Sequence, residues 1–138
     1  DADGGGDTCE DIQGGLIRAL DEMEREPYDK YNHLVLIVAD AHNHEDGDDD
    51  CSYTKNATYK KSFAGVWDDI YCRIRRFRSI RVMFMPVSGN LLLRTAKIME
   101  SGLGSEIIDS ASVSTETDFV DIVTKTTVKE YKRFIGIS

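Results

Sequence analysis

The sequence has few cysteines and no long apolar segment. The chain has three cysteines, Cys9, Cys51 and Cys72. They are too few for a disulfide framework, and an odd number cannot all pair within one chain, so a reducing compartment is favoured. The longest apolar run, residues 34–39, has six residues, whereas a membrane span needs about 20. We therefore expect a cytoplasmic protein without a transmembrane segment.

Positive charge is also scarce. Seventeen Lys and Arg residues stand against 25 Asp and Glu residues, so the net charge at pH 7 is −8. Such a chain repels nucleic acid and anionic membrane surfaces, and neither is an expected partner. The 138 residues suit one domain with an ordinary core. Asn56 opens a glycosylation triplet, which would matter only in a secreted protein.

Apolar spacing in the first two thirds of the chain predicts a strand–helix–strand unit. A capping box at Thr8 begins a helix that ends by about Glu26, before Pro27. Residues 33–39 are apolar on both faces, as in a strand buried within a parallel sheet. A helix from residue 63 to 77 and a strand over 80–85 follow, so the two strands are expected to pair in parallel.

The remaining segments have weaker patterns. Residues 1–7 form a flexible acidic tail in this interpretation, and residues 91–99 a helix with Gly102 as its stop. Residues 104–112 are expected to be a linker. The β-branched residues of 118–127 favour a strand.

Polar residues follow both predicted strands. His42 comes after the first strand and Ser88 after the second. Because parallel strands end at the same sheet edge, the two side chains can meet there as a base and a hydroxyl nucleophile. By itself this pairing is weak, because polar residues in such loops are more often solvated than catalytic.

The loop after the first strand is rich in acidic residues and histidine. His42, His44 and the nearby aspartates could hold a divalent metal, which would suit a secreted acidic binding domain. A metal site normally needs three or four fixed ligands, and the chain has no second ligand cluster. We therefore interpret residues 40–51 as a solvated acidic loop and expect no metal or other cofactor.

Four segments, in the same order, resemble the caspase family of cysteine peptidases. Residues 33–47 resemble the stretch that leads into the catalytic His. Residues 63–77 resemble a helix of the family that ends in a Cys, and Cys72 lies near the position of that Cys. Residues 80–90 resemble the strand that carries the nucleophile, and residues 113–124 the start of the small subunit. His42 precedes Ser88 by 46 residues, close to the spacing of about 50 in caspases.

The resemblance implies a three-layer α/β fold with a mostly parallel central sheet flanked by helices. Residues 1–138 would be a single caspase-like domain, with a large-subunit-like part at 8–103, a linker at 104–112 and the start of a small-subunit-like part at 113–138. The domain would be incomplete relative to a full caspase domain, and an incomplete sheet leaves edges open to a partner. Because the chain begins at Asp1, we expect a processed or shortened form.

The resemblance places His42 and Ser88 at the catalytic positions, but three residues depart from the family pattern. Ser88 stands where caspases have the nucleophilic Cys, and a hydroxyl is the poorer nucleophile. Asn43 stands where the family has the Gly that helps form the oxyanion hole. Pro86 replaces a substrate-binding Gln and removes a backbone donor. Together these changes predict an inactive site.

Two further positions follow from the resemblance. Arg133 falls where the family supplies an Arg to the pocket for the substrate aspartate, although an exposed surface cation explains it equally well. Asp109, followed by Ser110, resembles a caspase processing site, although the same residues are also typical of an ordinary linker.

These observations predict a caspase-like pseudoenzyme that binds and regulates an active caspase in apoptotic or immune proteolysis. The expected assembly is a hetero-oligomer with an active caspase or a caspase-like protein, with a homodimer as another form. One alternative is a working aspartate-directed endopeptidase that uses His42 and Ser88. The other is the secreted metal- or ligand-binding domain.

Overall fold

A computed structural model describes residues 11–40, 43, 61–87 and 93–136, with the backbone alone for Leu93. The elements in chain order are α1 (Ile12–Met23), β1 (His33–Ala39), α2 (Phe63–Ile74), β2 (Ile80–Pro86), α3 (Leu93–Leu103), β3 (Ile108–Ser110) and α4 (Glu116–Phe134). The three strands form one sheet in the order β1-β2-β3, and both pairs are parallel. None of the helices in these ranges has the length and apolarity needed to cross a bilayer.

The predicted strand–helix–strand unit is confirmed. β1 pairs with β2 along its whole length, from His33 beside Ile80 to Ala39 beside Pro86. The prediction that β1 is buried on both faces is wrong, because Leu36 is 37% and Val38 is 50% exposed. Within the described ranges β1 has a neighbour on one side only, so apolar residues lie on an edge strand.

One face of the sheet carries the apolar core. Side chains alternate along β2, and Ile80, Val82 and Phe84 point to this face. The helices α1, α2 and α3 cover it with buried residues at helical spacing, namely Leu16, Leu20, Val66, Trp67, Ile70, Ile74, Met99 and Leu103. Burial of this apolar surface is the main stabilising contribution to the fold.

The other face of the sheet carries α4. Arg81 and Met83 alternate with the core residues of β2, and they line a space that α4 closes with Thr126 and Glu130. The fold is therefore mixed α/β, with helices on both faces of a parallel sheet. Glu130 is 3% exposed and forms an ion pair with Arg81 (Nε to Oε1, 3.2 Å).

The predicted strand at residues 118–127 is wrong, because these residues belong to α4. Thr115 caps the helix, and its hydroxyl accepts a hydrogen bond from the N–H of Asp118 (3.1 Å). The Ser114 hydroxyl donates to the Asp118 carboxylate, and this bond lowers the pKa of that carboxyl group. Capping, acidic residues in the first turn and basic residues in the last turn outweigh the β-branched composition.

The predicted linker at residues 104–112 contains β3. Ile108 is buried in the core, and the strand runs parallel to β2 with Asp109 beside Met83. The N–H of Val82 donates to the Ile107 carbonyl (2.8 Å), and the N–H of Ala111 donates to the Phe84 carbonyl (3.0 Å). Three residues are too few to show an alternating pattern, so the sequence predicts a linker instead.

Two helix ends differ from the predictions. Asp11 caps α1 by accepting a hydrogen bond from the N–H of Gly14 (2.8 Å), so the cap is not Thr8, which lies outside the described residues. In α3 the expected stop, Gly102, lies inside the helix, and Gly104 follows its last residue with a φ of 83°. Glycine suits that left-handed conformation because it has no Cβ.

Candidate functional site

The carboxyl edge of the sheet is where a ligand site is expected in an open α/β fold. β1 ends at Ala39 and β2 at Pro86, and the N–H of Val87 donates to the Ala39 carbonyl (2.9 Å). The helices α2 and α3 follow these strands in the chain, so their N-termini lie at this edge. Asn43 brings the N-terminus of α1 to the same place, because its Oδ1 accepts a hydrogen bond from the N–H of Gln13 (3.0 Å).

Three buried polar side chains join these helix ends. Gln13 and Thr95 have no exposed surface, and Asn43 is 1% exposed. The N–H of Asn43 donates to the Thr95 hydroxyl (3.0 Å), and the side-chain amide of Gln13 donates to the Phe63 carbonyl (2.8 Å). We call Gln13, Asn43 and Thr95 the edge cluster. Buried polar groups with fixed partners hold α1, α2 and α3 in one arrangement.

The edge cluster limits what Asn43 can do chemically. An oxyanion hole requires backbone N–H groups that point at the substrate oxygen from about 2.7–3.1 Å. The N–H of Asn43 points at the Thr95 hydroxyl instead and is buried with it. In this arrangement the group stabilises the scaffold rather than a developing negative charge.

Pro86 is buried at the end of β2 and has no N–H to offer. Its carbonyl accepts a hydrogen bond from the N–H of Val113 (2.8 Å), which fixes the segment after β3 against β2. The side chain is apolar. Pro86 is thus a structural contact at the position where the family resemblance implies a substrate-binding amide.

Arg133 lies far from Pro86 and Asn43. It is in the last turn of α4, where it forms an ion pair with Glu130 (Nη1 to Oε2, 3.2 Å). Glu130 also contacts Arg81, the second residue of β2, so Arg133 lies near the amino edge of the sheet. Arg81 and Pro86 are about 16 Å apart along the strand at 3.3 Å per residue. The structure does not bring Arg133 to the carboxyl edge.

Asp109 is exposed in β3, and its carboxylate accepts a hydrogen bond from the N–H of Ser110 (2.9 Å). The predicted processing site is therefore in a paired strand rather than an open linker. Cleavage after Asp109 would first require β3 to separate from β2, because a protease binds its substrate as an extended, unpaired chain.

The other predicted site residues lie outside the described ranges. These are His42, Ser88, His44, Asn56 and the aspartates of the acidic loop after Asp40. Within the described ranges, no group of three or more His, Cys, Asp or Glu residues could hold a metal ion. Cys72 is a free, exposed thiol on α2.

Sequence reasoning missed Gln13 and Thr95. Gln13 lies three and seven residues before the buried Leu16 and Leu20, and Thr95 lies four residues before the buried Met99. A polar residue on the apolar face of a helix must find a buried partner, and this was the signal available. It marks the residue but does not identify the partner.

A second concave region lies between α4 and the sheet. It has a volume of about 140 Å³ and an apolar floor that includes Leu34 and Met83. Its buried charges are already used within the protein: Arg81 bonds to Glu130, and its Nη1 donates to the carbonyls of Ser105 (3.2 Å) and Glu106 (2.7 Å). These contacts fix α4 and the turn before β3.

No protein-family model, curated protein or solved structure matches this chain. The likeness to caspases therefore rests on the four sequence segments and stays a prediction.

Proposed function

We propose that this chain is a caspase-like protein without peptidase activity, which binds and regulates an active caspase. The observation that carries the proposal is the hydrogen bond from the N–H of Asn43 to the buried Thr95 hydroxyl. At this position the family resemblance implies an oxyanion donor. A donor that is already bonded inside the scaffold cannot also stabilise a tetrahedral intermediate without breaking that bond.

The substrate side of the site supports the same proposal. Pro86 offers no polar group to a substrate, and Arg133 forms an ion pair near the opposite edge of the sheet. An aspartate side chain bound beside Pro86 would not meet the guanidinium of Arg133. Both observations support the proposal that the chain does not recognise an acidic substrate residue.

The exposed face of β1 is the surface that we assign to the caspase. Among the described residues β1 is an edge strand, and Leu36 and Val38 lie on its exposed face. Strands of parallel sheets are normally covered on both faces. A partner that covers them removes apolar surface from water at about 25 cal/mol per Å². Binding there would affect the partner without any chemistry at the carboxyl edge.

The test is an aspartyl fluorogenic peptide assay with the chain alone and with active caspases. We expect no hydrolysis by the wild type or by Ser88→Cys, and a saturable change in the rate of at least one caspase. If the chain changes neither the rate nor the apparent size of any caspase, regulation is excluded. Hydrolysis by the wild type that His42→Ala abolishes would establish the peptidase alternative instead.

A matched pair of variants locates the surface. Val38 and Val128 are valines of similar exposure, 50% and 47%, on β1 and α4. We expect Val38→Glu to abolish the effect on the caspase and Val128→Glu to retain it. If Val128→Glu abolishes the effect and Val38→Glu does not, the caspase contacts α4 and the assignment to β1 is wrong.

A further inference from the structure

The outer side of α4 carries an uncharged stripe. Val120, Thr124, Val128, Tyr131 and Ile135 follow one another at intervals of four, four, three and four residues, so they share one side of the helix. All five are exposed, and Tyr131 reaches 61%. We call these five residues the α4 stripe. No described part of the chain covers it.

The α4 stripe contrasts with the side of α4 that faces the sheet. The two most buried residues on that side are polar, Thr126 and Glu130. A surface helix normally buries its apolar side and exposes its polar one. In α4 much of the apolar surface is outside, and exposed apolar patches of this kind are typical of interaction sites.

The charges along α4 indicate which partner fits the stripe. Glu116 and Asp118 are in the first turn, and Lys132 and Arg133 are in the last. Asp121 and Lys132 flank the stripe on the same side, since their separation of 11 positions makes about three helical turns. One half of the helix is therefore acidic and the other half basic. An identical helix running in the opposite direction complements this pattern.

We propose that two copies of this chain associate through antiparallel α4 helices, stripe against stripe. A twofold axis near the middle of α4 places Asp121 opposite the partner's Lys132, and the same contact occurs twice. A parallel arrangement would place the two acidic ends of α4 side by side, and likewise the two basic ends, which is unfavourable. The inference is independent of the proposed function, because it uses neither the carboxyl edge nor β1.

The expected affinity is modest. A helix of 19 residues is about 28 Å long at 1.5 Å per residue. A pair of such helices buries less than the roughly 800 Å² per partner of a standard stable interface. The dimer should therefore form reversibly with rising concentration.

The first experiment measures the molar mass of the full chain by sedimentation equilibrium up to roughly 1 mM. We expect the mass to rise with concentration toward that of a dimer. Val128→Glu should weaken association at least about tenfold, because two carboxylates would be buried in the interface. Val38→Glu, of matched chemistry and exposure, should associate as the wild type does. A wild type that stays monomeric, or a Val128→Glu variant that associates equally well, would overturn the proposal.

A charge exchange tests the antiparallel arrangement. Asp121→Lys alone and Lys132→Asp alone should each weaken association several-fold, since each places like charges opposite one another. The double variant Asp121→Lys/Lys132→Asp should restore it. Far-UV circular dichroism of each variant checks that α4 is still helical. Single variants that associate like the wild type, or a double variant weaker than both, would contradict the antiparallel pairing.

Discussion

The two faces of the sheet are covered in different ways. The face toward α1, α2 and α3 is closed by apolar side chains such as Phe84, which has no exposed surface. The face toward α4 is closed over an ion pair between Arg81 and Glu130. Apolar burial is non-directional and grows with area, whereas a buried ion pair depends on geometry and on both partners being present. The second face is consequently less completely covered and leaves more apolar surface available to partners.

The largest expected difference between the faces is the effect of truncating neighbouring residues of β2. Phe84→Ala should lower the free energy of unfolding by about 3–5 kcal/mol, because it opens a cavity in the core. Met83→Ala, on the half-buried α4 face, should lower it by only about 1 kcal/mol. Urea unfolding monitored by circular dichroism measures both. Equal losses would mean that the two faces are packed alike.

The ion pair under α4 should give the next largest effect. Glu130→Leu removes the carboxylate and leaves the Nε of Arg81 unpaired, so we expect a loss of about 2–3 kcal/mol in the free energy of unfolding. Most of this loss should be recovered in the double variant Glu130→Leu/Arg81→Met, which buries no unpaired charge. A single variant as stable as the wild type in urea would show that apolar contacts hold α4.

The same contrast explains how much of the fold the sequence could predict. On the apolar face, the continuous apolar run of residues 33–39 and the helical spacing of residues 63–77 predict β1, α2 and the parallel pairing with the next strand. Along α4 the two most buried residues, Thr126 and Glu130, are polar, so burial imposes no apolar period on this helix, and the β-branched residues of 118–127 wrongly favour a strand. Here the signal was the helix cap at Thr115 and the separation of charges along the helix.

The edge cluster was not predictable for a different reason. The sequence singles out Asn43 only through the predicted resemblance to caspases, as a departure from that family's pattern. Its hydrogen bond to Thr95 joins residues 52 positions apart, and neither local propensity nor spacing specifies such a pair. Only the convergence of three helix N-termini at one sheet edge brings these side chains together.

A glycine inside α3 tests how closely the apolar face is packed. A Cβ at Gly102 would collide with the ring of Tyr71, whose hydroxyl donates to the Ile98 carbonyl (3.1 Å). Gly102→Ala should therefore destabilise the protein by about 1–2 kcal/mol in urea unfolding, despite the better helix propensity of alanine.

The matched control is Gly15→Ala in α1, where a Cβ meets nothing within 4 Å. We expect this variant to gain about 0.5–1 kcal/mol, because alanine favours the helix and no neighbour has to move. Stabilisation by both substitutions would mean that α2 and α3 are less tightly packed than the contact between Gly102 and Tyr71 indicates.

The smallest expected effect concerns pH and the amino end of the apolar face. His33 packs edge-on against Phe77, with ring centroids 4.8 Å apart, and its Nε2 is buried without a hydrogen-bond partner among the described residues. Burial lowers the pKa of His33. At a pH between this lowered pKa and the unfolded-state pKa of about 6.5, the unfolded chain binds more protons than the folded chain does. The contribution of His33 to stability is therefore fully present above about pH 6.5 and is lost as the pH falls below it.

His33→Phe removes this titration and keeps the ring contact with Phe77. Urea unfolding of both proteins at about pH 7.5 and pH 5.5 should show a larger loss of stability on acidification in the wild type than in the variant. Carboxylates titrate equally in both proteins, so the difference isolates His33. An identical loss in the two proteins would mean that solvent reaches the imidazole of His33. The apolar face of the sheet would then be open at its amino end, as the α4 face is open along β1.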